Sequence, residues 1–193
     1  LSNSVWAVAK LELEDSASQE FCACCIEKLR QSRFSETTPQ GFANSLWAAA
    51  KLRLQPAVAA PFCADAARYA MAEPGDLACF MPQELSMALW AMARLIGRRT
   101  RPGAGAGGSG GAAPHREVEA FALGVAEEAC RRLPEFSPQG VSNIAWSLAT
   151  LQLVRRPQAK RFILAAASTS AAALHNYPPQ AIANICWAIS RVQ

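Results

Sequence analysis

Apolar residues recur along this chain at three- and four-residue steps, in two alternating styles. In the first, seen over residues 38–54, Phe42, Leu46, Ala49 and Ala50 fall at helical spacing, and Ala48 adds a small contact on another side. Alanine at so many positions lets neighbouring helices approach closely. That predicts a helix buried on more than one face, the inner layer of a stack. We call it the A helix. The second style fills the gaps, over approximately Ala17–Gln31, Ala57–Met71, Arg116–Leu133 and Gln158–Leu174. Its apolar positions, such as Phe21, Cys25 and Leu29, or Phe121, Val125 and Ala129, keep the same steps. Each of these B helices begins near a start signal: Asp15/Ser16, Pro56, Pro114 or Pro157. No strand pattern competes, so the chain is predicted all-α.

The A pattern occurs five times. The copies are LSNSVWAVAKLEL, TPQGFANSLWAAAKLRL, FMPQELSMALWAMARLI, FSPQGVSNIAWSLATLQL and YPPQAIANICWAISRV. All five tryptophans, Trp6, Trp47, Trp90, Trp146 and Trp187, occupy one place in it, 41, 43, 56 and 41 residues apart. Eight residues before four of them stands a proline (Pro39, Pro82, Pro138, Pro179), followed by Gln40, Gln83, Gln139 or Gln180. Proline suits the first helical position, where its missing N–H costs nothing, and Thr38 and Ser137 are placed as N-caps. Self-similarity at this period marks a repeat array. The predicted fold is an α-solenoid of antiparallel helix pairs, nine helices in about four and a half repeats of about 41 residues.

One segment departs from the pattern. Residues 97–114, GRRTRPGAGAGGSGGAAP, are too glycine-rich to order themselves and read as a flexible insertion loop at a turn. The rest of residues 1–193 forms a single array. It begins within an A helix and ends, at Gln193, just after another, and Ile182, Ile185 and Ile189 give no polar outer face. Solenoid termini need one. The expectation is a fragment of a longer array whose two uncapped ends meet neighbouring repeats or protein subunits.

Composition narrows the chemistry. A formal net charge of +4 permits a polyanionic partner without demanding one. No apolar run is long enough to span a membrane. The seven cysteines, an odd number in helical and apolar contexts, read as reduced, buried thiols. Cys22 and Cys25 form a C-x-x-C without a second such pair, and with only His115 and His175 beside them no zinc site is expected. GAGAGGSGG follows no strand and lacks the lysine of a phosphate-binding loop, and no His/Cys/Asp arrangement recurs. The chain is therefore read as a non-enzyme without a cofactor.

Binding residues follow from helical geometry. At about 100° per residue, Gln40, Asn44, Trp47 and Lys51 fall within an arc of about 60°. Each repeat carries this stripe. Its basic members are Lys10, Lys51, Arg94 and Arg191, with Thr150 in the fourth copy. Stacked repeats would make them a ladder with rungs about 10 Å apart, able to track a single-stranded phosphate backbone. A large aromatic at one place in every repeat is expected to be the core anchor. The asparagine (Asn3, Asn44, Asn143, Asn184, with Met87 in the third copy) would either bond the adjacent inter-helix turn or present its amide to a ligand. Identical residues cannot name different bases. The variable positions, Gly41/Glu84/Gly140/Ala181 and Ser45/Ala88/Ile144/Ile185, are mostly small or apolar, so strong base discrimination is not expected. Further cations cluster near turns: Arg98, Arg99 and Arg101; Arg131 and Arg132; Arg155, Arg156, Lys160 and Arg161. Such clusters suit contact with phosphates.

The combined motif, PQ-x-x-A-N-x-x-W-A-x-A-(K/R)-L at this period, resembles the octotricopeptide repeat and covers essentially the whole chain apart from the glycine loop. The resemblance implies an α-solenoid that binds RNA in a mitochondrion or chloroplast. Its roles there would be transcript stabilisation, processing or translation, or clamping ribosomal RNA. The alternative is a protein–protein scaffold offering the same surface to a peptide or helix. The basic ladder discriminates: an open groove favours RNA, and pairing with acids such as Glu84 favours the scaffold.

Overall fold

The computed structural model describes residues 1–13, 15–72, 76–97 and 116–192. Among these residues nine α-helices follow one another: α1 (Ser2–Lys10), α2 (Ser16–Gln31), α3 (Pro39–Lys51), α4 (Pro56–Ala70), α5 (Pro82–Ile96), α6 (Arg116–Arg131), α7 (Pro138–Thr150), α8 (Pro157–Ala172) and α9 (Pro179–Ile189). The odd-numbered ones are the A helices. Each packs most extensively on the next, α1 on α3, α3 on α5, α5 on α7 and α7 on α9, while α2, α4, α6 and α8 stack as a second layer. The all-α repeat architecture is thus as expected.

Local chemistry sets the boundaries. Thr38 Oγ1 accepts from Gly41 N–H and Ser137 Oγ from Gly140 N–H, both at 3.1 Å, capping α3 and α7. The third copy has Met81 at that place, and Glu84 compensates by accepting from the Met81 N–H at 2.7 Å. Asp15 caps α2 through the Ser18 N–H. The B helices α6 and α8 stop two residues short of Leu133 and Leu174, because those leucines open single 3₁₀ turns before the next A helix. Helices α1, α3 and α7 close without glycine. Glu12, Arg53 and Gln152, each six residues after a tryptophan, sit at φ 54°, 53° and 62°. The leucine after each donates back to the last turn: Leu13 to Val8, Leu54 to Ala49 and Leu153 to Leu148. That is the bonding of a Schellman closure, and the following leucine supplies its apolar contact.

An interior A helix has four distinct sides. One faces the B layer. There Phe42, fully buried, has its ring centroid 5.9 Å from Phe34, 5.9 Å from Tyr69, 5.4 Å from Phe80 and 6.4 Å from Phe121. Two flanks carry small residues and face the neighbouring A helices. A Cβ on Gly41 would come within 3.3 Å of Ser2 Oγ in α1, and one on Gly140 within 3.4 Å of Ser86 Oγ in α5. The variable positions named above lie mostly on these flanks. Gly41, Gly140, Ala181, Ser45, Ala88, Ile144 and Ile185 are all buried, which removes them as base readers. The fourth side carries the glutamine–asparagine–tryptophan–basic stripe and faces outward.

Candidate nucleic-acid interface

The outward stripes of three successive A helices line one groove of about 910 Å³ across α3, α5 and α7. Gln40, Asn44 and Trp47 form one wall, Gln83, Met87 and Trp90 the floor, and Gln139 and Asn143 the other wall. Trp47, Trp90 and Trp146 pack against the core from its rim and are not its fully buried anchors. Trp47, Trp90 and Trp146 are half-buried, and Trp6 and Trp187 are 38% and 36% exposed. The anchors are their neighbours Leu46 and Leu89, fully buried one residue earlier. Alanine on three sides of the helix made this hard to see, because the periodicity alone leaves the tryptophan at the rim of two sides.

Three of the five rings carry a cation. Lys51 Nζ lies 5.9 Å from the Trp47 centroid, and the guanidinium carbons of Arg94 and Arg191 lie 5.5 and 5.3 Å from those of Trp90 and Trp187. The ring quadrupole favours these placements and holds the long side chains in a limited set of rotamers. Lys10, exposed, makes no ion pair among the described residues. Lys51 is 3.8 Å from Glu12, with both side chains largely in solvent, a pair of small energetic weight. Glu84 caps α5 and does not pair with the ladder.

Asn143 and Asn184 bond within their own helix and not, among the described residues, to the inter-helix turn. Asn143 Oδ1 accepts from Gln139 Nε2 at 2.8 Å, and Asn184 Oδ1 from Gln180 Nε2 at 3.1 Å, one turn away on the same helix. Each such amide pair leaves a glutamine oxygen and an asparagine N–H₂ free to meet a ligand. Bonding to the inter-helix turn falls instead to Arg132. Its guanidinium donates to the Phe80 and Ala78 carbonyls at 3.0 and 3.4 Å and to Glu128 and Glu135.

Antiparallel pairing puts every A-to-B turn on one edge of the array and every B-to-A turn on the other. The ladder cations, in or just beyond the last turns of the A helices, share the first edge with Arg155, Arg156, Lys160 and Arg161. Arg155, Lys160 and Arg161 are exposed and make no ion pair among the described residues, while Arg156 bonds Glu119 at 2.5 Å. Arg131 and Arg132, expected on a polyanion, sit on the opposite edge. They are committed to Glu128 and Glu135. Arg98, Arg99 and Arg101 lie outside the described residues.

The fourth rung, Thr150, is occupied from within the fold. Gly97, at the end of α5, is so close that a Cβ there would overlap the Thr150 methyl. The Thr150 hydroxyl is buried without a hydrogen-bond partner among the described residues. Gly97 has φ −65°, so it is needed for space and not for its backbone. Gly97→Ala is expected to cost about 1–3 kcal/mol. Thr150→Ser in the same chain removes the opposing methyl and should recover most of that loss in urea denaturation.

The cysteines are less buried than expected. Cys22, Cys25 and Cys63 are buried, but Cys24, Cys79 and Cys186 are exposed and Cys130 is intermediate. Burial, helped by the nearby Cys25, pushes the Cys22 thiol up to about 11, and burial alone pushes Cys63 up to about 12. Neither is a nucleophile or a ready metal ligand at neutral pH. Among the described residues no group of three or more His, Cys, Asp or Glu is placed to hold a metal ion, and no helix is long and apolar enough to cross a membrane. No family model, no curated protein and no solved structure matches this chain.

Proposed function

We propose that this array binds single-stranded RNA along the outward face of its A helices, chiefly through phosphates. The observation that carries the proposal is the repeated cation-on-tryptophan rung, Lys51 on Trp47, Arg94 on Trp90 and Arg191 on Trp187. A cation already seated on a ring is pre-ordered for a phosphate oxygen, so less side-chain entropy is lost on binding. The same seat occupies a face on which a base would otherwise stack. That supports backbone tracking over base reading, as does burial of the variable positions. The amide pairs add hydrogen bonds to sugar or base edges without imposing a sequence. The resemblance to octotricopeptide repeats supplies the setting: an organellar transcript or ribosomal RNA, in a mitochondrion or chloroplast.

Binding of short RNAs measured against salt tests this. Four ladder cations on a single strand give a log–log slope of about −3. Lys51→Glu with Arg94→Glu should lower affinity by about tenfold or more and flatten the slope by about 1.5. Oligomers of different sequence should bind alike. A protein ligand is favoured by one feature, the presence of Glu84 and Glu135 in the groove lining. Glu84 is spent on a helix cap and Glu135 on Arg132, which leaves that reading second. Negligible RNA affinity at low salt would reverse the order.

A further inference from the structure

The geometry points to a nucleobase-stacking site on the ladder, the ring of Trp146, at the one rung where the chain supplies no cation. The inference rests on the reading of the array as an RNA binder, and says where a base is held as well as a phosphate. Comparison of the rungs carries it. Lys10, Lys51, Arg94 and Arg191 each stand four residues after a tryptophan, but Thr150 follows Trp146. On Trp47, Trp90 and Trp187 the cation is seated between 5.3 and 5.9 Å from the ring centroid. Trp146 carries none among the described residues. Trp6 has none seated either, yet its rung still holds Lys10.

Trp90 shows what such a ring presents. It is half-buried and flanked by an A helix on each side, as Trp146 is, and takes the planar guanidinium of Arg94 at 5.5 Å. At Trp146 the equivalent place is left open. Thr150 does not fill it, because that side chain is short and its methyl packs toward Gly97 at the end of α5. A bare indole beside a row of cations is a platform for a base, and stacking there tolerates any sequence because every base has a π-face. The polar edge of the base would meet Gln139 and Asn143, the latter three residues before the ring. Their mutual bond at 2.8 Å leaves the glutamine oxygen and the asparagine N–H₂ free, an acceptor and a donor on one helix face. The fifth repeat is the internal control. It has the same amide pair, Gln180 to Asn184, and the same tryptophan, but Arg191 is seated on the ring. The fourth repeat thus keeps what meets a base and lacks what covers the ring. Arg94 and Arg191, on the rungs to either side, would hold phosphates that flank the stacked base.

Photocross-linking of the unaltered chain to an oligomer of 5-iodouridine tests it, since an iodinated base bonds on irradiation to an aromatic ring stacked against it. Peptide mapping should place the adduct chiefly at Trp146, well above Trp47, Trp90 and Trp187. Trp146→Leu should lower affinity for oligouridine about tenfold. It should leave the slope of affinity against salt unchanged, because the ring neutralises no phosphate. An oligomer that binds but links equally to these four rings, or not to Trp146, overturns the inference and leaves phosphate binding intact. So does a Trp146→Leu variant of unaltered circular dichroism that binds as the parent does, or whose slope flattens. Negligible binding of the oligomer at low salt overturns the RNA reading itself, and this inference with it.

Discussion

Phe42→Ala lowers the stability of the array by about 3–5 kcal/mol, the largest effect expected of any single truncation here. The ring is fully buried and meets Phe34, Tyr69, Phe80 and Phe121, so its removal opens a void bounded by four aromatic groups from three successive repeats. Those rings are held from outside: the Tyr69 hydroxyl donates to the Thr37 carbonyl at 3.1 Å, which limits how far the site can collapse. In a repeat array the loss is local in origin. Hydrogen exchange should therefore accelerate in α1 to α4 well before α7 to α9. Trp47→Ala, which deletes a half-buried ring at the rim of the core, should cost less in the same denaturation experiment. Equal costs would return the tryptophan to the role of core anchor.

Arg132→Met costs about 2–3 kcal/mol at neutral pH. Glu128 is buried, and burial by itself pushes its carboxyl up, but hydrogen bonds and charge from Arg131 and Arg132 outweigh burial and hold it below the usual range. Removing Arg132 leaves this carboxylate with one partner and strips the Phe80 carbonyl of its donor. The pH dependence follows from the sign of the shift. A carboxyl whose folded pKa is depressed contributes stability above its unfolded pKa, about 4.3, and loses it as pH falls through the folded value. The gap between the parent and Arg132→Met should thus be widest near neutrality and should narrow below about pH 4. A gap constant with pH would mean that the methionine variant fails through packing alone.

How much of this was legible beforehand depends on whether the signal was local. The A-helix starts were legible because Pro39, Pro82, Pro138 and Pro179 each stand at a first helical position, and the B helices because their apolar steps are regular. The A-helix ends were not marked, since Glu12, Arg53 and Gln152 adopt a conformation usually signalled by glycine. The stripe of glutamine, asparagine, tryptophan and cation was correctly gathered on one side by helical geometry. Its bonding within the stripe, Gln139 to Asn143 for example, is an i, i+4 amide pair that the same geometry could have supplied. The commitment of Arg131 and Arg132 was legible too, with Glu128 three and four residues before and Glu135 three after Arg132. Reading those arginines as free cations ignored acids on the same turns. What no local pattern could give is the meeting of Gly97 with Thr150, which are distant in sequence and brought together only by stacking.

The two edges of the array bear on kinetics as well as on binding. Lys10, Arg155, Lys160 and Arg161, which make no ion pair among the described residues, lie where the A helices end, while on the opposite edge Arg131 and Arg132 are neutralised by Glu128 and Glu135. Separation of that kind gives the molecule a permanent dipole lying across the stack. In the field of a polyanion a dipole feels a torque as well as a pull, over a distance of about 10 Å at 0.1 M salt. The protein would be turned edge-on before contact, so added salt should slow its arrival more than it hastens its departure.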